Sequence, residues 1–203
     1  MQLLANTTSP YVRIARIALI EKGLNIELTI VDPWADDARL RDANPATRVP
    51  TLITDEGIAL TESLLIVQWL EHTRPVPEWP SLLGPDAVGV LSRAGIALGV
   101  IDAAVHTIII RKVTAPVLFD ETPVGLRRRR TMAEGMARLE SIAARGELVA
   151  SDGPKLDAIC AVVALDYLRF RFADQPWMPP LPALDDLSLS LRQRKSFAQT
   201  LPR

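Results

Sequence analysis

Gln2-Leu3-Leu4-Ala5, followed a few residues later by Ser9-Pro10-Tyr11-Val12-Arg13-Ile14-Ala15-Arg16-Ile17-Ala18-Leu19-Ile20-Glu21-Lys22-Gly23, decides the reading of this chain. The first four residues form a strand-like run. Serine before proline then marks a helix start, because the serine oxygen can accept an otherwise unpaired N–H while proline lacks an N–H that would need pairing. Gly23 is a stop, so a helix is expected over about residues 10–22. Ile26 to Val31 reads as a second strand, Asp36 to Ala43 as a weaker helix ended by Asn44-Pro45, and Thr51 to Thr54 and Ile58 to Leu60 as two short strands joined by Asp55-Glu56-Gly57. Thr61 is expected to cap a helix from Glu62 to His72, with Ile66, Val67 and Leu70 on one apolar stripe and Leu65 and Trp69 on another, so burial on two sides is expected.

Strand, helix, strand, helix, strand, strand, helix is an order that needs a right-handed parallel crossover first and a hairpin last, which describes a thioredoxin-like α/β domain over residues 1–74. Residues 75–85 carry Pro75, Pro77, Pro80, Gly84 and Pro85 and read as a linker. Residues 86–203 read as an all-α domain. Asp86 to about Val113 should be its central helix, with Leu91, Ala94, Leu98, Ile101, Val105 and Ile108 inward and a stripe of Ser92, Gly95, Gly99, Asp102 and His106 beside them. Thr122 to Arg145, Leu156 to Phe172 and Pro182 to Arg194 follow as helices, with Met132, Met136, Leu139 and Ala143 inward on the first, and a short turn near Phe197 closes the chain.

Composition narrows the function class. With 203 residues, 48% apolar and 23% charged, the chain can bury a substantial core. A formal net charge of -1 removes the electrostatic case for nucleic acid or an anionic membrane as the main partner. The local exception is Arg127 to Arg130, read as a solvated helix face or, less simply, an anion contact. One cysteine, Cys160, excludes an internal disulfide and fits a reducing cytoplasm; it sits among Ile159, Val162 and Val163 and reads as a core thiol. The N-terminus shows no signal-peptide pattern, and charge interrupts the apolar runs before about 18 residues, so no membrane span is expected. His72 and His106 without a ligand cluster give no metal signal.

Taken in order, Thr8-Ser9-Pro10-Tyr11-Val12-Arg13, Asn44-Pro45 with Arg48-Val49-Pro50-Thr51-Leu52, Thr61-Glu62-Ser63, Arg93-Ala94, Tyr167-Leu168-Arg169-Phe170-Arg171 and Ser196-Phe197 with Thr200-Leu201-Pro202 resemble the glutathione transferases, specifically small bacterial serine-type members. The resemblance covers nearly the whole chain. It implies glutathione as substrate or cofactor, no metal, a small electrophile held against the helical domain, and a homodimer.

Ser9 is the residue the resemblance assigns to catalysis. An unperturbed cysteine thiol titrates near about 8.5, so a transferase must favour the thiolate. A cap hydroxyl accepts from the helix with a lone pair and can point its proton at the sulfur, aided by the helix dipole. Lowering that pKa by about 2 units takes roughly 2.7 kcal/mol. Ser9 acting as a cap alone is the other reading, with Thr8 and Tyr11 as rival hydroxyls. Val49-Pro50 resembles the cis-proline turn whose preceding residue offers N–H and C=O to the cysteinyl part of glutathione, against a trans proline opening an edge strand. Arg48 stands where the family often places a base near the glycyl carboxylate, or is an unliganded surface arginine. Ser63 is implied to hold the γ-glutamyl carboxylate at a helix start while Glu62 faces its ammonium group; ordinary first-turn chemistry explains both residues equally. Asp102 and His106 read as a local polar patch or as lining the substrate cleft. Pro154-Lys155-Leu156-Asp157 departs from the family's Ser/Thr-x-x-Asp cap, and Ser151 or Asp152 is expected to substitute.

The expected function is therefore a cytoplasmic glutathione transferase, with a glutathione-dependent isomerase or a non-catalytic glutathione-binding or protein-interaction module as alternatives.

Overall fold

The structure, a computed structural model, describes residues 1–114, 119–149, 152–173 and 175–202. β1 (Gln2–Ala5) leads into α1 (Pro10–Glu21), which begins where Ser9-Pro10 requires. β2 (Glu27–Ile30), α2 (Ala38–Ala43), β3 (Thr51–Ile53), β4 (Ala59–Thr61) and α3 (Ser63–Thr73) complete the expected alternation. The four strands form one sheet in the order β2-β1-β3-β4, with β1 parallel to β2 and antiparallel to β3, and β3 antiparallel to β4. Gly57 turns the hairpin at φ +80°, where Gly57 N–H donates to Thr54 O at 3.0 Å. Leu3, Leu4 and Leu52 of the sheet and Ile14 and Ile17 of α1 are fully enclosed, as are Ile66 and Leu70 of α3, which packs on α1.

The chain divides into two compact units, residues Met1–Leu82 with Arg192–Arg203, and Leu83–Leu191. The sequence boundaries of 74 and 85 fall either side of this division, for a physical reason. Glu71 accepts hydrogen bonds from Ser81 Oγ at 2.6 Å and Leu82 N–H at 2.9 Å, and Trp79 lies against Gly23 and beneath the Arg74 guanidinium, so most of the proline-rich segment is fastened to the first unit. The C-terminal residues, expected within the helical domain, also belong to the first unit. Arg194 and Ser196 both bond to Glu21 at the end of α1, and α8 (Lys195–Ala198) packs on α1.

The second unit holds α4 (Ala87–Val113), a 3-10 turn at Phe119–Glu121, α5 (Pro123–Ala144), α6 (Leu156–Arg171) and α7 (Pro182–Leu191). Within it α4 packs on both α5 and α6, the central place expected for it, and the most enclosed helix is α6, whose residues 156–168 are all buried. On α4 the inward face is Val90, Ala94, Ala97, Val100, Ile101 and Ala104, while Leu91 is 48% exposed. Ala94 and Ile101 face inward as expected, but at the other four positions the residue before the expected one is buried (Val90, Ala97, Ala104 and Thr107), so that small side chains rather than the larger leucines fill the approach to α5 and α6. On length and composition α4 is long and apolar enough to cross a membrane, contrary to expectation; a helix buried in a protein core passes the same test. On α5, Met132, Met136 and Leu139 are buried as expected and Ala143 only half so.

Of the two caps expected for α6, the described residues bear only on Asp152. Ser151 lies outside the described residues, Asp152 pairs with Lys155 Nζ at 2.7 Å, and the N-cap Lys155 makes no side-chain cap bond. Asp157 in the first turn is buried and meets Arg93 Nε of α4 at 2.7 Å, so a cross-helix ion pair anchors the start of α6. The arginine run is only partly a solvated face. Arg127 and Arg130 are exposed, but Arg128 Nη1 lies 3.3 Å from His106 Nδ1, and Arg129 donates to Asp120 O at 2.9 Å. Cys160 is fully buried, as expected of a core thiol, and burial, with Asp157 nearby, pushes its thiol far above the usual range.

Candidate functional site

Register assembles the site. Leu4 pairs with Thr51, and Thr51 pairs with Thr61, so the end of β1, the start of β3 and the end of β4 lie at one end of the sheet. The chain leaves β1 towards Ser9, enters β3 through Arg48-Val49-Pro50, and leaves β4 into Glu62-Ser63. Three segments far apart in sequence thus converge there. With strands about 4.8 Å apart, the outer two of these three are separated by roughly 10 Å.

Ser9 is the N-cap of α1. Its backbone is extended (φ -76°, ψ 123°) and its Oγ accepts from Val12 N–H at 3.3 Å, leaving the hydroxyl proton outside the helix. The rival Thr8 is committed elsewhere: its hydroxyl donates to Asn6 Oδ1 at 2.8 Å. Tyr11 is half-buried on the first turn.

The Val49–Pro50 peptide bond is cis, and so is Val76–Pro77, which had no sequence signal. Asn44, read as a helix stop and as part of the family motif, does more than end α2. Its amide donates to Arg48 O at 3.1 Å and Thr51 Oγ1 at 3.3 Å, its Oδ1 accepts from Ala46 N–H at 3.0 Å, and Thr51 Oγ1 donates to Arg48 O at 2.9 Å. These bonds, around a buried asparagine, hold the loop that presents Arg48 and Val49.

At the start of α3 the expected register moves by one residue. Thr61 is spent as a strand residue opposite Thr51, and Glu62 becomes the N-cap without a side-chain cap bond. Glu62 has φ +68°, a backbone region that costs a residue with a Cβ about 1–3 kcal/mol and that concentrates at functional sites. Ser63 is the first residue of α3 and is buried, next to the helix's unpaired N–H groups. Arg48 and Glu62 meet directly, Nη1 to Oε1 at 3.6 Å, both well exposed. Among the described residues no cluster of three or more His, Cys, Asp or Glu is placed to hold a metal ion.

A mixed four-stranded sheet with a capped serine, a cis-proline and a helix start at one end, in a chain that continues into a helical unit, defines the class of the glutathione transferase enzymes. Comparison with known proteins agrees. The family model "Glutathione S-transferase, N-terminal domain" matches residues 8–73. The chain is 30% identical over 202 residues to the uncharacterised GST-like protein YibF of Escherichia coli, covering 100% of this chain and 98% of the other. A crystal structure of a glutathione S-transferase from Methylobacterium radiotolerans in complex with glutathione sulfonate is 33% identical, covers 99% of this chain and 94% of its own, and superposes with a TM-score of 0.84. A shorter match, 44% identical over 68 residues and covering 32% of this chain and 31% of the other, is to a probable maleylacetoacetate isomerase of Caenorhabditis elegans. The chain belongs to the glutathione transferase family.

Proposed function

We propose that this protein binds glutathione in an extended form across the sheet end, from Ser9 to Glu62-Ser63, and uses its sulfur to attack a small electrophile. The observation that carries the reading is the convergence of Ser9, Val49–Pro50 and Glu62-Ser63 through the β1–β3–β4 register. Extended, the γ-glutamyl-cysteine part of glutathione reaches roughly 10 Å from its sulfur to its α-carboxylate, which matches the spacing of the outer two segments. In this arrangement the Ser9 hydroxyl donates to the cysteinyl sulfur, Val49 offers backbone groups to the cysteinyl unit, Ser63 and the α3 N-terminus take the γ-glutamyl carboxylate, Glu62 faces the ammonium group, and Arg48 lies towards the glycyl carboxylate. The thiol proton passes to water, a sulfur lone pair forms the new C–S bond, and the electrophile's leaving group departs with its bonding pair where it carries one.

Ser9→Ala is the test. The rate of conjugation to a generic aryl halide should fall tenfold or more, on the order of 1.4 kcal/mol, while glutathione affinity changes less. Equal turnover in variant and parent would remove Ser9 from catalysis. A glutathione-dependent isomerase is the second reading, favoured by the local match to a probable isomerase; glutathione turnover without consumption would support it. Glutathione affinity without any turnover would favour a binding module instead.

The same reading includes a homodimer in the cytoplasm. Leu64 and Leu65 stand 39% and 52% exposed on α3, an apolar pair suited to a second copy, and the lone buried cysteine fits a reducing compartment. Sedimentation at micromolar concentration showing monomer mass would contradict the dimer.

A further inference from the structure

Between β1 and α1 the chain makes a four-residue turn tied by one backbone bond and by the side chain of Asn6. Ser9 N–H donates to Asn6 O at 3.1 Å, and Asn6 Oδ1 receives both the Thr8 N–H at 3.0 Å and the Thr8 hydroxyl at 2.8 Å. The two donors fix each other's roles. A backbone N–H can only donate, so the Asn6 atom it meets is the amide oxygen, and the Thr8 hydroxyl beside it must then donate as well. A hydroxyl has one proton. Thr8 spends its proton on Asn6, whereas Ser9 Oγ, among the described residues, only accepts, from Val12 N–H, which leaves its proton for an outside acceptor. Adjacent residues with the same functional group are thereby sorted into one internal donor and one outward donor.

We propose that Asn6 is a positioning residue that selects Ser9, rather than Thr8, as the hydroxyl donor to the glutathione sulfur and holds it at the working angle. This rests on the role proposed for Ser9. Asn6 acts through the turn and touches neither reactant, so its effect falls on the strength of the Ser9 hydrogen bond rather than on the grip on glutathione. Loss of the Asn6 side chain leaves the Ser9 N–H bond to the residue 6 carbonyl but frees the Thr8 N–H and the Thr8 proton together. Loss of the Thr8 hydroxyl alone leaves the Thr8 N–H and Ser9 N–H bonds to Asn6 in place, so it costs less.

The experiment follows the pH midpoint of thiolate formation in bound glutathione, by ultraviolet absorbance, and the pH profile of kcat/KM. Parent, Ser9→Ala, Asn6→Ala, Asn6→Ser and Thr8→Val are compared. Asn6→Ala should move both midpoints upward by about half a pH unit or more, equivalent to about threefold in thiolate equilibrium, with a smaller change in glutathione Kd. Asn6→Ser, which restores a short acceptor, should recover part of that shift, and Thr8→Val should shift less than Asn6→Ala. A purely structural role would lower the urea midpoint and leave the pH midpoint in place, and that result overturns the proposal. If Asn6→Ala does not fold, Asn6→Ser carries the test, and an unmoved midpoint there overturns it equally. A larger shift for Thr8→Val than for Asn6→Ala would make Thr8 the donor and overturn it as well. Ser9→Ala separates this proposal from the reading beneath it. A shift in Ser9→Ala with none in the Asn6 variants removes the proposal alone, whereas no shift in Ser9→Ala removes both.

Discussion

Glu71→Gln should destabilise the first unit by about 3 kcal/mol at neutral pH, and more at neutral pH than in acid. Lys22 has a side chain only 1% exposed, with Nζ 2.6 Å from Glu71 Oε1 and donating to Arg74 O at 2.9 Å. Burial works to raise the Glu71 carboxyl, but hydrogen bonds from Leu82 N–H, Lys22 and Ser81, with the Lys22 charge, outweigh it and hold the group below its usual value. The amide keeps the shape and one oxygen acceptor but leaves the ammonium buried without its counter-charge. Removing one partner of a buried pair costs about 3–5 kcal/mol, and the lower end applies here because Arg74 O still accepts. Because the folded carboxyl titrates below the unfolded one, its contribution is present above the unfolded value of 4.5 and is lost as pH falls through the folded value. The gap between parent and variant should therefore narrow as pH drops below that value. Urea unfolding followed by tryptophan fluorescence measures it, since Trp34, Trp69 and Trp79 all lie in the first unit. A loss below about 1 kcal/mol, the range of an exposed pair, or a gap that does not change with pH, would refute the argument. Replacing both partners, Lys22→Met with Glu71→Leu, should recover only part of the loss, because Leu82 N–H, Ser81 Oγ and Arg74 O then lose their partners.

Ser63→Ala should weaken glutathione binding about tenfold more than Arg48→Ala in calorimetric titration, because a hydrogen bond to a charged group at a buried helix start costs about 1.5–3 kcal/mol when lost, whereas Arg48 is two-thirds exposed in an open pair with Glu62. A larger loss for Arg48→Ala would relocate the main anchor. Gly23→Ala should lower stability by about 2 kcal/mol in the same urea assay, since Gly23 has φ +72° and an added Cβ would stand 2.1 Å from the Trp79 ring; an unchanged urea midpoint would show that the ring moves aside freely.

Elements that begin with local chemistry were readable from the sequence, and elements decided by competition were not. Ser9-Pro10 specifies the start of α1 by itself, because cap and N1 proline act on adjacent residues. Thr61 suits both a strand end and a helix cap; pairing with Thr51 wins, and α3 starts at Ser63 with Glu62 in the strained position. On α4, leucine, valine and isoleucine stand at nearly every angle, so the apolar pattern could not say which alanines face α5 and α6. The residues proposed for the site stood out as motif positions because each stands at a junction between elements. Asn6 and the wider role of Asn44 were not, since a polar residue in a turn looks the same in sequence whether its side chain is free or binds three groups, as Asn44 does. The return of residues 192–203 to the first unit was equally hidden, because Glu21, Arg194 and Ser196 are ordinary surface residues until the fold brings them together.

None of the residues assigned to glutathione except those at the α1 and α3 starts is held by a helix, and their mutual spacing is set by two short antiparallel ladders of three residues each. A one-residue slip between β3 and β4 would carry Glu62 and Ser63 about 3.4 Å along the sheet and turn the side chains of β4 to the opposite face. Strands this short do not resist slippage strongly by pairing alone. The Asn44–Arg48–Thr51 bonds therefore have a functional reach beyond their loop: they anchor the first residue of β3, the residue that faces both Leu4 and Thr61. Fixing Thr51 fixes the start of the strand against β1 on one side and β4 on the other. The distance from Ser9 to Ser63 thus depends on a buried asparagine, and under the proposed binding mode so does the length of ligand accepted, although Asn44 need not touch it.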